Sequence, residues 1–399
     1  MANYSTRRLN LLLTCATITA LAPVVSNGAT ITGWDTTNVV VDATPADYET
    51  GASVIYDGDP ADSGSTTSGQ IVFTPPEAVS PGIKVQPESY KDSGPGDLQL
   101  TGCLMTSNPD ATCTSPFQSG KRIKQQMTGF GPVDLVFNTA ESAETSVYQA
   151  FHRLINVTGQ SLSGFVVELG TGVGDGFSAF SEDSLVKFSS AFTAQPTGSG
   201  AANTQFPFGL FGDASDNPNF SLDGFFEAER TGFKVNLTAT TLKSDGFYGP
   251  YGDYFGDWLS QEAVPLGAFW DFDDDALTDD LLMAWERSDG KWEARRAIDA
   301  EGDVYSLAEA DWKSYDTYAA LIADLFPTFS SLFGQGAIED LANLNLNFAI
   351  ELGSGFTGSS FTLRTTVAPV PLPAGGILLV GGLGMLAALR RRRATAVAA

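Results

Sequence analysis

The chain has 399 residues, with 47 Asp and Glu against 22 Lys and Arg and a formal net charge of −25. That balance repels phosphates and excludes nucleic acid as a partner; cations, and surfaces bridged by cations, are favoured instead, and acidity is also ordinary in a secreted protein from a saline habitat. The length supports a large core, as one all-β unit or as two packed subdomains.

At the N-terminus Arg7 and Arg8 precede a largely apolar run, Leu9 to Val25, and small residues follow to Ala29. A basic start, an apolar middle and a small-residue cut site make 1–29 a secretory signal peptide, outside the fold. Cleavage after Ser26 or after Ala29 fits this pattern. The arginine pair invites a twin-arginine route, but Asn10 stands where an aromatic residue is usual. Cys15 lacks the preceding small residue that lipoprotein processing needs.

Residues 30–368 form the body, a β-rich acidic ectodomain. All 47 acidic residues lie here, and setting aside Arg7, Arg8 and Arg390–Arg393 leaves 16 of the 22 basic residues, a formal charge of −31. Short strands between Gly, Pro and Asp turns are predicted at Asn38–Val41, Ala52–Tyr56, Gln70–Thr74 and Val133–Asn138. Stronger ones follow at Val147–Val157 and Gly164–Leu169, and Phe233–Ala239 alternates like a strand. The polar, Gly-rich stretch Ala191–Asn203 reads as a surface loop or a seam. Leu281–Arg287 and Lys291–Ala297 flank Ser288-Asp289-Gly290, a hairpin signal. A helix is predicted at Leu307–Leu325 and a short one at Ala337–Asn343, before strands at Phe348–Leu352 and Ser360–Val367. Many strands with few helices favour a mainly β fold: a β-sandwich or jelly-roll-like ectodomain with one or two helices near its C-terminal end, plus a C-terminal transmembrane helix.

Once Cys15 leaves with the signal peptide, Cys103 and Cys113 remain. An even pair, close in sequence and in an oxidising compartment, reads as one disulfide. The spacing is far from a redox C-x-x-C, and a single histidine in the chain argues against zinc.

The sharpest acidic cluster is Asp271, Asp273, Asp275 and Asp279. These match positions 1, 3, 5 and 9 of an EF-hand loop, but Ala276 and Leu282 replace its diagnostic Gly and Glu. A looser calcium site and a solvated acidic turn both remain open, since clustered carboxylates repel unless screened. No other cofactor is indicated. Asp-Gly-Phe recurs at 175–177, 223–225 and 245–247, each read as a turn followed by a core aromatic, with calcium as the alternative role for the aspartates. Gly170-Thr171-Gly172-Val173-Gly174 follows a strand as a dinucleotide loop would, but Asp175 replaces the third glycine. His152 sits in a strand-like run and reads as structural. No G-x-S-x-G is present, and nothing marks a catalytic carboxylate pair, so no catalytic residue is assigned.

The tail has three parts in order. Val370-Pro371-Leu372-Pro373-Ala374 comes first, prolines holding it extended. Leu372 to Leu389 carries no charge and has about the minimum length to cross a ~30 Å hydrocarbon core. Arg390, Arg391, Arg392 and Arg393 then act as a positive-inside stop, leaving 395–399 as a short cytoplasmic end.

Residues 369–394 resemble the VPLPA-CTERM variant of the PEP-CTERM bacterial sorting signals. The resemblance implies an exosortase-type membrane protease as partner, cleavage near the proline motif, and a helix that holds the membrane only in the precursor. The body resembles the choice-of-anchor F family. That likeness lies in Ile31-Thr32-Gly33-Trp34, Ile71 to Glu77 with Pro81 to Val85, Gly170 to Phe177, and the aspartate cluster before Leu281. It implies a surface protein and supplies no catalytic residues. The expectation is an exported protein, held at the inner membrane as a precursor and then placed at the cell surface, outer envelope or outside. There it serves as a structural or adhesive surface or matrix protein, with exopolysaccharide as a candidate partner. The alternative is a carbohydrate-binding or glycan-cleaving surface protein, prompted by the many acids and six tryptophans.

Overall fold

A computed structural model describes residues 28–41, 51–73, 82–91, 98–108, 110–115, 119–142, 144–191, 203–204, 232–248, 254–271 and 280–370. The chain is mainly β. Its first strands are β1 (Gly28–Asp35), β2 (Val39–Val40), β3 (Gly51–Tyr56), β4 (Thr67–Phe73), β5 (Ile83–Gln86), β6 (Tyr90–Lys91), β7 (Gln99–Leu100), β8 (Gly102–Thr106) and β9 (Ile123–Met127). The middle holds β10 (Val133–Ser142), β11 (Ser146–Asn156), β12 (Leu162–Thr171), β13 (Ser178–Ala179), β14 (Val186–Phe188), β15 (Asn203–Thr204), β16 (Gly232–Leu237) and β17 (Thr241–Tyr248). Then come β18 (Leu266–Trp270), β19 (Leu281–Glu286), β20 (Trp292–Ala294), β21 (Arg296–Ile298), β22 (Val304–Ser306), β23 (Lys313–Tyr315), the helix α1 (Tyr318–Leu325), β24 (Phe333–Ala337), β25 (Asn343–Leu352) and β26 (Ser360–Pro369).

Two large sheets share one core. Sheet A has the order β1-β10-β26-β12-β17-β16-β15; sheet B has the order β14-β25-β11-β9-β4-β3-β2, with β8 beside β11 and β5 beside β8. Pairing is antiparallel except that β8 and β9 both run parallel to β11. Period-two alternation sends every second side chain inward. Sheet A contributes Val133, Leu135, Phe137, Phe165, Val167, Phe361 and Leu363, and sheet B contributes Ile55, Ile71, Leu154, Leu346 and Phe348. Phe137 stacks on Phe361 at 5.4 Å between ring centroids, and Phe188 meets Phe348 edge-on at 5.4 Å. Each such burial contributes roughly 1.5–3 kcal/mol.

The chain leaves sheet A after β17 and re-enters sheet B at β25. Between them a third sheet, β23-β20-β19-β18-β24, builds its own cores. One face, with Trp270, Met283 and Trp292, packs on Leu321 and Phe326 of the α1 region. The other face carries Leu282 and Trp285 against Ile338 and Leu341. Trp258 ties this insertion to the main body: its backbone bridges Leu162, and its indole Nε1 donates to the Ala342 carbonyl at 2.7 Å.

The Asp289-Gly290 hairpin forms as predicted. Arg287 N donates to Lys291 O at 2.8 Å, and Gly290 adopts φ 78°, which favours glycine. The helix predicted over Leu307–Leu325 exists only as Tyr318–Leu325, where the Thr317 side chain caps the Ala320 amide at 3.1 Å. Upstream, Glu309–Asp311 makes one 3-10 turn and Lys313–Tyr315 is drawn into the third sheet by pairing with β20. The helix predicted at Ala337–Asn343 is a 3-10 turn, Glu339–Ala342, and Asn343 already belongs to β25. Asp245-Gly246-Phe247 lies within β17 rather than in a turn.

β1 starts at Gly28, inside the segment assigned to the signal peptide. Ala29 is buried, and its carbonyl accepts from the Ser146 hydroxyl. A cut after Ser26 leaves β1 whole; a cut after Ala29 removes its first two residues. Among the described residues no helix is long and apolar enough to cross a membrane. The Leu372–Leu389 run lies outside them, as do residues 1–27, Pro371–Ala374, Arg390–Arg393, the Asp223-Gly224-Phe225 repeat and most of Ala191–Asn203.

Candidate functional site

Cys103 and Cys113 are joined, with Cα atoms 5.8 Å apart. β8 places Cys103 between Gln86 of β5 and Gln149 of β11, and both sulfurs are buried with Met105 and Phe151. Closing so short a loop contributes roughly 2–3 kcal/mol. Two lysines brace the loop through its carbonyls. Lys84 Nζ donates to Asn108 O and Ala111 O, both at 2.7 Å; Lys121 Nζ donates to Cys113 O at 3.0 Å and Ser115 O at 2.5 Å. Lys121 also lies 4.4 Å from the centroid of the Phe151 ring. Burial, then the charge of Arg122, lowers the Lys121 pKa to about 8, with Glu88 opposing. The two ammonium groups thus brace the loop by donating to carbonyls on both of its arms.

The acidic cluster is not assembled among the described residues. Asp271 donates its backbone amide to Leu332 O at 2.9 Å, while Asp273, Asp275 and Asp279 fall outside them. Among the described residues no group of three or more His, Cys, Asp or Glu side chains is disposed to hold a metal ion.

His152 is structural. It points into the shared core, 1% exposed, with its Nε2 donating to Gln125 Oε1 at 3.0 Å. Nδ1 has no partner, and burial lowers the imidazole pKa from 6.5 to about 3. The ring is therefore neutral and remote from solvent.

The glycine-rich stretch after β12 turns out to be a clamp. Asp134 of β10, buried under this loop, receives Arg364 Nε and Nη2 of β26, each at 2.7 Å. Gly174 N donates to the same carboxylate at 2.7 Å, and Arg364 Nη2 also reaches Gly174 O at 2.7 Å. Phe177 stacks on the Arg364 guanidinium at 3.9 Å, and Thr362 Oγ1 donates to Gly172 O at 2.8 Å. Glycine is required: Gly172 and Gly174 have φ of 79° and 53°, and a Cβ on Gly174 would sit 2.0 Å from Asp57 O. The anion this loop holds is the chain's own Asp134, so its amide is not turned toward a nucleotide phosphate. Spacing gave no sign of a pair 230 residues apart.

In the insertion, Glu293 collects Trp285 Nε1 at 3.4 Å, Arg287 Nη1 at 3.2 Å and Arg295 Nε at 2.8 Å. Arg295 lies between the rings of Trp312 and Tyr254, at 3.8 and 5.0 Å from their centroids. The acid set among these aromatics is thus engaged on both oxygens and is poorly placed to work as a free acid or base.

The tail leaves the body from the centre of sheet A. β26 pairs with β12 as far as Leu162↔Pro369, and Val370 N donates to Ser161 O at 3.4 Å. Ser163 Oγ lies within 3.2 Å of Ala368 O and 3.3 Å of Pro369 O. Val370, the first residue of the proline motif, is therefore still hydrogen-bonded to the body. Of the motif only Val370 is among the described residues. No family model matches the chain, and no curated protein or solved structure matches it.

Proposed function

We propose that this chain is an exported surface or matrix protein of a Gram-negative-type bacterial envelope, with a structural or adhesive role. Its body is a β-sandwich of sheets A and B with an inserted third sheet, and its tail is a removable sorting signal for an exosortase-type protease. The observation that carries this reading is the junction. The last strand of the body ends at Pro369, and the proline motif, followed by the apolar run and the four arginines, begins at the next residue. The buried disulfide suits an oxidising compartment outside the cytoplasm.

A permanent anchor needs only the apolar run and the arginines, so the prolines discriminate. Replacing Pro371 and Pro373 together with alanine leaves insertion intact and loosens the extended motif. Full-length precursor, still carrying Arg390–Arg393, is expected to accumulate in the inner membrane. Processing of the double variant at the wild-type rate would overturn the sorting reading.

A further inference from the structure

The end of β26 is held differently from the rest of the strand. Thr362–Thr365 is paired on both sides, with β10 and with β12, while Ser360 and Phe361 pair with β10. β10 begins at Val133, opposite Thr365, so among the described residues Thr366–Pro369 pairs with β12 alone. In that stretch Val367 is the one core side chain, while Ala368 and Pro369 are exposed. Directly upstream, Arg364 is locked to Asp134 and Gly174.

We propose that Thr366–Val370 is a peelable handle. It separates from β12 to present an extended strand to the sorting protease, while the Arg364 clamp keeps sheet A closed. This rests on the sorting reading above and adds an ordering: opening precedes cleavage. The reason is geometric. An extended segment is taken up through its own backbone hydrogen-bonding groups. Here the Val370 amide is engaged with Ser161, and the Ala368 and Pro369 carbonyls face Ser163. Those groups become available only when the strand lifts. One ladder and one apolar side chain resist that motion, whereas lifting any residue before Thr366 also breaks the β10 ladder and strains the clamp.

The test is a cross-strand staple. Val166 and Thr366 are direct partners, on the face of sheet A opposite the core residues Phe165 and Val367. In full-length precursor in its native membranes, an oxidised Val166→Cys/Thr366→Cys pair is expected to slow processing at least tenfold. Mild reduction should restore the wild-type rate, and Ser163→Ala should speed processing. Equal rates for the oxidised and reduced forms would overturn the handle and leave the sorting reading standing. An uncut wild-type chain would overturn the sorting reading, and the handle with it. Where the cysteine variant misfolds, hydrogen exchange on the wild-type chain decides: the Thr366 and Val370 amides should exchange at least a hundredfold faster than that of Leu363. Equal exchange would overturn the proposal.

Discussion

Arg364→Met is expected to destabilise the protein by about 3–5 kcal/mol. Asp134 is buried, and its carboxylate depends on Arg364 for two of its hydrogen bonds. Removing the guanidinium strands that charge with the Gly174 amide as its remaining donor. The stack on Phe177 goes too, so the Gly170–Phe177 loop should exchange its amides faster. Asp134→Asn keeps the shape and removes the buried charge, so it should cost less. The double variant Asp134→Asn/Arg364→Met should be more stable than Arg364→Met alone, because the desolvated charge is gone. Urea unfolding measures all three. An Arg364→Met variant within about 1 kcal/mol of wild type would show that the clamp contributes little.

The second large effect is acid sensitivity. His152 is held neutral with a pKa of about 3, against 6.5 when unfolded. Between these values the unfolded chain binds a proton that the native chain does not. Stability therefore rises with pH across that window and is lost as pH falls from 6.5 toward 3. The full displacement corresponds to about 5 kcal/mol, of which about 3 kcal/mol is gone by pH 4. His152→Gln keeps a donor for Gln125 Oε1 and does not titrate. Carboxylates titrate in both proteins, so the difference between their pH profiles isolates the histidine. The wild type should lose about 3 kcal/mol more than the variant between pH 7 and pH 4. Parallel profiles would mean that His152 takes up its proton as readily in the folded chain as in the unfolded one.

Much of the fold is legible in the sequence where a strand faces one core. Ala52–Tyr56 and Val133–Asn138 alternate, and they lie in strands of sheets B and A. The disulfide is legible because Cys103 and Cys113 are close in sequence while Cys15 stands far from both. β9 is not legible: Ile123-Lys124-Gln125-Gln126-Met127 has little apolar pattern. It is a strand because β11 and β4 bond it from both sides, which buries even Lys124 and Gln125. The start of β25 shows a signal that a helix reading of Ala337–Asn343 obscures. Asn343-Leu344-Asn345-Leu346-Asn347 has period two, with its leucines in the core. The insertion between β17 and β25 is invisible locally, because its sheet order is set by long-range pairing. The same holds for the candidate site. The proline motif is plain in the sequence, but its bonding to Ser161, and the one-sided end of β26 behind it, arise from partners some two hundred residues earlier.

The most direct measurement is the intact mass of the mature protein recovered from the envelope or medium, with both termini mapped. The expected N-terminus lies just after Ser26, retaining β1, and the expected C-terminus at or near Val370–Ala374, with Gly375–Leu389 and Arg390–Arg393 gone. Mature protein ending at Ala399 would contradict it and would make the tail a permanent single-pass anchor.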